Sequence, residues 1–291
     1  MTQALLITAY KNFNQLIELA DYFDKGFEIY IHIDNKQTIS SEYLQKLHSF
    51  SQVKLVSFKH KVNYAGRNHL KSILHLSEEA LKNKNNYYFH VISGQDFPVQ
   101  PLSYYFEFAQ KNKETNFLEY FEMPNPQWEN GGMDRLELFS FYDLLDAKKQ
   151  LRIIHKLNRI QKKTGFKRKL NINNQQLFGG STWWSLNQQT LQYVIDYTNQ
   201  HPNLLRRMKH TFCSEEIYFQ TVIMNSPFAS SVINNCLRYI NWNLKHNSIP
   251  AILDQDDLSN IKVGNYLFAR KFDSPYSDEL KLNLIKSDKR N

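Results

Sequence analysis

One stretch constrains this chain more than any other: Tyr87 to Val99, reading YYFHVISGQDFPV. Its first half, Tyr87-Tyr88-Phe89-His90-Val91-Ile92, is apolar, aromatic and β-branched, with no helical spacing. That pattern predicts a central strand buried on both faces. The run then breaks into Ser93-Gly94-Gln95-Asp96-Phe97-Pro98. Gly94 permits a backbone turn that other residues resist, and Pro98 biases Phe97 toward extension. A buried strand ending in a small, polar, acidic turn suits an open α/β sheet, whose ligands bind beyond the carboxyl ends of the strands. Ser93, Gly94, Gln95 and Asp96 are therefore read as the floor of an active site. The alternative is an ordinary strand-to-helix loop.

The preceding segments fit such a sheet. Ala4 to Thr8 is a short strand running into Ala9-Tyr10, Phe13 to Phe23 has helical spacing, and Phe27 to Ile33 is a second strand. The second strand delivers Asp34 at its carboxyl end, where a ribose or base is held, or where a plain turn favours Asp. Val53 to Phe58 is a third strand. The Lys61-Val62-Asn63-Tyr64-Ala65-Gly66-Arg67 turn leads into a helix over Asn68 to Leu81. A glycine and cations at a helix start suit a phosphate, although neither GxxxxGK[ST] nor GxGxxG is present. A helix over Pro101 to Lys111 and a strand over Asn116 to Phe121 complete the order β-α-β-β-α-β-α-β, a sheet of nucleotide-binding type.

Farther on, Met123 to Asp134 is a Pro- and Gly-containing loop with Trp128 and Glu129, and Asp143 to Lys169 is a strongly basic helical segment. That segment is either a solvated face or a surface for anionic lipid or a phosphorylated acceptor. Gly179 to Leu186 is a strand, Gln188 to Gln200 a helix, and Glu215 to Met224 a helix with Ser214 as its N-cap. Carboxylates such as Glu215 and Glu216 stabilise a first turn through the helix dipole alone. Leu237 to Trp242 is a short strand, Asp254-Gln255-Asp256 reads as a helix cap, and Tyr266 to Phe272 sets Arg270 and Lys271 among apolar residues.

Net charge is +8, which favours anionic partners, yet no RNP aromatic pair, GxxG clamp or Cys/His zinc pattern points to nucleic acid. Cys213 and Cys236 are the only cysteines, too few for a disulfide framework. With no signal-peptide pattern before Ala4 and no membrane-length apolar run, a cytoplasmic protein is expected, peripheral at most at the inner face of the membrane. Aromatic residues make up 14% of the chain, which suits both a bulky core and the stacking of sugars.

Taken together, these pieces resemble glycosyltransferase family 14. This family comprises the core-2/I-branching β-1,6-N-acetylglucosaminyltransferases, their peptide xylosyltransferase relatives and many bacterial members. The resemblance rests on His32-Ile33-Asp34, Val62 to Gly66, Tyr88 to Pro98 and Gly180 to Leu186, then Ser214 to Thr221 (SEEIYFQT), Arg238 to Trp242 (RYINW) and Leu267 to Asp273 (LFARKFD). It implies an α/β, GT-A type glycosyltransferase fold, a Rossmann-like mixed sheet flanked by helices. It also implies one catalytic domain over 1–291, with a nucleotide-sugar half over about 1–122 and an acceptor and catalytic half over about 123–291.

The implied activity is inverting transfer of a sugar, N-acetylglucosamine or xylose, from a UDP-sugar to a glycan or lipid-linked oligosaccharide acceptor, in bacterial polysaccharide or oligosaccharide synthesis. No cofactor and no metal are expected. Alignment on Thr221 places the catalytic base at Glu216. The lysine that stands in for metal at the leaving diphosphate falls on Lys271, beside Arg270. Thr8, Tyr10, Asp34, Tyr64, Gly66 and Ser93 to Asp96 are assigned to the donor; Trp183, Glu215 and Trp242 are assigned to the acceptor. A second phosphate-binding arginine of the animal enzymes falls near Ser248, which cannot replace it. Two other classes compete: a non-catalytic glycan- or nucleotide-binding module on the same fold, and a basic RNA-binding protein.

Overall fold

The computed structural model describes residues 1–24, 26–169 and 175–288. Its first half runs β1 (Thr2–Ala9), α1 (Phe13–Tyr22), β2 (Phe27–Ile33), α2 (Ser41–Ser49), β3 (Val53–Ser57), α3 (Asn68–Leu81), β4 (Asn86–Ser93), β5 (Asp96–Pro98), α4 (Leu102–Lys111) and β6 (Asn116–Glu122). There follow α5 (Met133–Glu137), α6 (Ala147–Thr164), β7 (Phe178–Asn187), α7 (Gln188–Gln200), α8 (Pro202–Arg207) and α9 (Glu215–Met224). The last elements are β8 (Val232–Ile233), β9 (Arg238–Ile240), α10 (Leu258–Val263), β10 (Phe268–Arg270) and α11 (Asp278–Asp288).

Seven strands form one mixed sheet in the order β3-β2-β1-β4-β7-β6-β8. β1 to β4 are parallel, whereas β7 runs antiparallel to both β4 and β6. Successive residues of the buried strands face opposite sides, so each strand feeds two cores. Ala4 and Leu6 of β1 and Phe89 and Val91 of β4 pack with α3, α7 and α9. Leu5, Ile7 and Ile92 pack on the other side, with α1, α11 and the rings of Phe97, Tyr105 and Phe268. This is the GT-A type, Rossmann-like mixed sheet flanked by helices that the resemblance implies. Among the described residues, no helix is long and apolar enough to cross a membrane.

The structure departs from the sequence reading at four places. Helix α2 goes unread because only Leu47 of its nine residues is buried, which leaves almost no apolar periodicity to see. The turn after β4 does not run straight to a helix. Asp96-Phe97-Pro98 stays extended and pairs antiparallel with β10, Asp96 opposite Arg270. The basic helix is shorter than Asp143 to Lys169: Asp146 accepts from the Lys148 amide at its start, and Gly165 ends it at φ +67°. Ser214 is no side-chain cap, because its own backbone is already helical and its hydroxyl makes no capping bond.

Strands β5, β10 and β9 form a second, three-stranded sheet. Arg238 rivets it to the first. Its guanidinium lies fully inside and donates to the carbonyls of Val91 (3.0 Å) and Trp184 (2.9 Å) and to Ser185 Oγ (2.8 Å). Gly180 marks a close approach between β6 and β7. A Cβ there would stand 1.9 Å from the Glu119 carbonyl oxygen, so β6 and β7 meet only because the position is glycine.

Candidate active site

β2 leaves β1 on one side, whereas β4 returns on the other, so the chain reverses direction between β1 and β4. Such switch points open a crevice beyond the carboxyl ends of the strands. Thr8, Tyr10, Ser93 and the turn to Asp96 meet there. The Gly94 amide donates to Thr8 O (2.9 Å), and Tyr10 Oη donates to Gln95 Oε1 (3.0 Å). Gly94, read as permitting a turn that other residues resist, has no left-handed backbone. Its value is closeness, since a Cβ there would come within 3.2 Å of Ala9 Cβ. Asp96 is fully buried and accepts from the Ser93 amide (2.7 Å) and hydroxyl, so it shapes the turn from within. Burial raises its pKa even beside Arg270.

The small sheet carries two cations to this crevice. β10 sets Arg270 opposite Asp96, with Nε 3.7 Å from Asp96 Oδ1, a distance that leaves both atoms without a hydrogen bond among the described residues. The guanidinium lies over the Trp183 ring at 4.1 Å. Lys271 follows, its Nζ donating to Ser248 Oγ at 3.4 Å. Burial, then the charges of Arg270 and Lys11, push Lys271 down to about 8. This segment is tied back to the first strand. Asp273 accepts from Lys11 Nζ (2.5 Å) and Asn12 Nδ2 (2.7 Å), and the Phe272 amide donates to Gln95 O (2.8 Å). Lys271 is thus the cation disfavoured by its neighbours, whereas Lys11 is neutralised by Asp273 and Arg270 faces Asp96.

The carboxylates come from the first turn of α9, and the two neighbours part company. Glu215 is buried, with 6% of its side chain exposed, and its Oε1 lies 3.0 Å from His69 Nδ1. His69 Nε2 lies 3.2 Å from Thr8 Oγ1. An ionised carboxylate only accepts, so Nδ1–H donates to Glu215; Nε2 then accepts from the Thr8 hydroxyl in a neutral ring and donates to it in a protonated one. Glu216 keeps 27% of its side chain open and accepts from Arg135 Nη1 at 2.6 Å. Arg135 is itself fixed, its guanidinium 3.5 Å from the Trp128 ring centroid and 5.3 Å from that of Phe212. Burial and the adjacent Glu215 charge raise the pKa of Glu216, against the opposing pull of Arg135. The Glu216 charge reaches Arg270 across the crevice. A partly open carboxylate with an elevated pKa is suited to accept a proton.

The remaining expected residues have other immediate partners. Asp34 is buried and accepts from the amides of Val62 (2.9 Å) and Lys36 (3.2 Å), tying the β2 end to the 61–67 turn. Gly66 makes room for Asp143: a Cβ there would stand 2.4 Å from its Oδ1. Asp143 accepts from the amides of Arg67 (3.1 Å) and Asn68 (3.3 Å), so the start of α3, expected to meet a phosphate, is already occupied. Tyr64 is exposed, edge-on to Tyr142 and Phe212. Trp183 is buried beneath Arg270 and offers no open ring face, whereas Trp242 is 68% exposed and free to stack. Asp254 caps a helical turn, accepting from the Asp256 amide (3.0 Å) and pairing with Lys245 and His246. Arg135, His69 and Lys11 belong to the site without any sequence signal, since each acts through a partner far along the chain.

The sequence model of the Core-2/I-Branching enzyme family matches residues 4–262. Among characterised proteins, the chain is 26% identical to Xylosyltransferase 2 of Mus musculus over 282 residues, 90% of this chain and 30% of that protein. It is 24% identical to Xylosyltransferase 1 of Mus musculus over 248 residues, 81% of this chain and 23% of that protein. It is 21% identical to a xylosyltransferase of Ciona intestinalis over 272 residues, 86% of this chain and 30% of that protein. The chain thus spans less than a third of the length of these relatives. Among solved structures, the mannosyltransferase Ktr4p of S. cerevisiae in complex with GDP superposes with a TM-score of 0.34 and 8% identity, covering 81% of this chain and 68% of that one. That superposition is too distant to bear on function.

Proposed function

The chain belongs to the Core-2/I-branching enzyme family, and from that membership we propose that it is an inverting glycosyltransferase that moves a sugar from a UDP-sugar to a glycan acceptor without a metal ion. The reading is supported by Glu216, a partly open carboxylate raised in pKa whose charge acts on Arg270, and by the Arg270–Lys271 pair of cations beside the β4 turn. In this reading the Glu216 carboxylate takes the proton of the acceptor hydroxyl as its oxygen attacks the anomeric carbon. The bond from that carbon to the UDP oxygen breaks on the opposite side, and the new charge settles on the diphosphate beside Lys271 and Arg270. Attack opposite the leaving group inverts the anomeric centre. Trp242 offers the acceptor a face to stack on, and the 1–122 half holds the nucleotide. Xylose is the first donor to try, given the relatives, with N-acetylglucosamine next.

Purified protein given UDP-sugars and saccharide acceptors should release UDP at the same rate with and without excess EDTA, and the product should carry the inverted anomer. Activity lost in EDTA and restored by manganese would overturn the metal-free reading and turn attention to Asp254, Asp256 and Asp96. UDP binding with no turnover on any sugar would leave a binding module.

The Lys271 value sets a second test. Below about pH 8 the side chain is a cation; above it the charge is lost. A diphosphate prefers the cation, so UDP affinity should fall about tenfold between pH 7 and pH 9, above the range in which UDP itself takes up a proton. Lys271→Arg should abolish that fall. An unchanged slope in the arginine variant would place the titrating group elsewhere.

A further inference from the structure

The net charge of +8 is not spread over the protein. Residues 147–169 hold ten Lys and Arg and no Asp or Glu, so the remainder of the chain is slightly acidic. Some of these cations serve the fold: Lys162 pairs with Asp134 at 2.6 Å, Lys167 with Glu137 at 2.5 Å, and Arg168 donates to carbonyls around 207–210. Arg152, Lys156, Arg159 and Lys163 do not; they are exposed and make no ion pair among the described residues. Their spacing of four, three and four residues aligns them as one stripe along α6, on the side away from buried Ile154 and Gln161.

Beside that stripe the helix leaves apolar side chains in water. Ile153 and Ile160, seven residues apart and so on one edge, are each 49% exposed; Leu151 is 43% exposed, and Phe166, just past the helix end, is 60% exposed. The inner face of α6 is already satisfied by Ile154 against Ala65 and Tyr142, and no described element covers the outer one. A soluble polyanion has a use for the cations but none for the isoleucines. A bilayer surface takes both, lipid phosphates meeting the charges and the apolar side chains entering the boundary between headgroups and acyl chains.

We propose that α6 seats the protein on an anionic lipid bilayer. The helix lies against the site itself. The Ile154 cluster takes in Phe212 and Cys213, immediately before Glu215 and Glu216, and Lys148 at the start of α6 lies over the Tyr10 ring at 5.5 Å. Seating α6 on lipid brings the crevice to the membrane surface. Taken with the proposed transfer, on which this step rests, the acceptor class is a saccharide carried on a lipid.

Co-sedimentation of the full chain with phosphatidylcholine vesicles, with and without phosphatidylglycerol, tests the docking directly. Binding should require phosphatidylglycerol and weaken steeply with salt. Reversing three charges together (Arg152→Glu, Lys156→Glu, Arg159→Glu) should weaken it at least about 100-fold. Ile153→Ser with Ile160→Ser, which keeps every charge, should weaken it about tenfold. UDP affinity by calorimetry should stay unchanged in both variants, which reports their folding. Equal sedimentation with neutral vesicles, or anionic-vesicle binding untouched by the serine pair, overturns the proposal. The second outcome, joined to heparin binding lost only on charge reversal, would mark a polyanion site instead. Vesicle binding needs no donor sugar, so a wild-type protein that docks but fails to bind UDP counts against the catalytic reading alone.

Discussion

Glu216→Gln should lower turnover by about two to four orders of magnitude while leaving the fold and UDP affinity in place. The amide is nearly the same size as the carboxylate and still accepts from Arg135 through its oxygen, so the packing around Trp128 and Phe212 has no reason to change. What disappears is the ability to take a proton. Glu215→Gln is the contrasting variant. Glu215 is buried on His69 and almost closed to solvent, so its loss should act through the Thr8–His69 link and not through the base. A collapse of turnover in Glu215→Gln but not in Glu216→Gln would shift the base by one residue. Arg135→Ala supplies a readout that bulk destabilisation does not mimic. Arg135 holds the Glu216 pKa down against burial, so removing it lets that pKa climb further. The base is active only when deprotonated, so the acid limb of kcat/KM should move to higher pH.

Much of the frame was legible in the sequence, for a physical reason. Strands buried on both faces are written as largely apolar runs without alternation, and β1, β2 and β4 are such runs, broken only by buried polar residues such as Gln3, Glu28, His32 and His90. Long helices with one buried stripe, such as α3 and α7, carry their own period. Helix α2 does not, because it buries only Leu47. The proposed base Glu216 and the proposed cation Lys271 were named by the family resemblance, through Thr221 and the Leu267 to Asp273 segment, because residue type and spacing alone gave Glu216 no more than a place in the first turn of a helix. The site was not legible where function passes through partners distant in sequence. Arg135 acts on Glu216 across 81 residues, and Lys11 holds Asp273 across 262. Glycine gave the most misleading signal. Gly66 suggested phosphate-binding amides, yet those amides are held by Asp143, a residue read as the start of a helix. Gly94 suggested an unusual backbone, yet its role is to let the β4 turn lie against Ala9.

Arg270 and Lys271 are adjacent, and they should fail differently. Lys271→Ala is expected to weaken UDP binding by about 10- to 100-fold, the range for a lost hydrogen bond to a charged group, with little change in Tm. Among the described residues its ammonium donates to Ser248 Oγ at 3.4 Å, and burial with the charges of Arg270 and Lys11 disfavours its charged form. Its removal even relieves the repulsion with Arg270 and Lys11. The rate should fall along with affinity, because charge grows on the diphosphate as the bond to the sugar breaks, and a fixed cation there acts most strongly at that point. Arg270→Ala removes a side chain packed on Trp183 and facing buried Asp96. That variant should lose UDP affinity too, and in addition lower Tm by roughly 5 °C or more, because it uncovers an aromatic ring and leaves Asp96 without its nearest opposite charge. Calorimetric titration of UDP and a thermal melt on each variant separate the two effects. UDP affinity unchanged in Lys271→Ala would remove the cation from its proposed place at the leaving diphosphate. An Arg270→Ala protein with wild-type Tm would show that the contact with Asp96 and the packing on Trp183 add nothing net to stability once the cost of burying the guanidinium is counted.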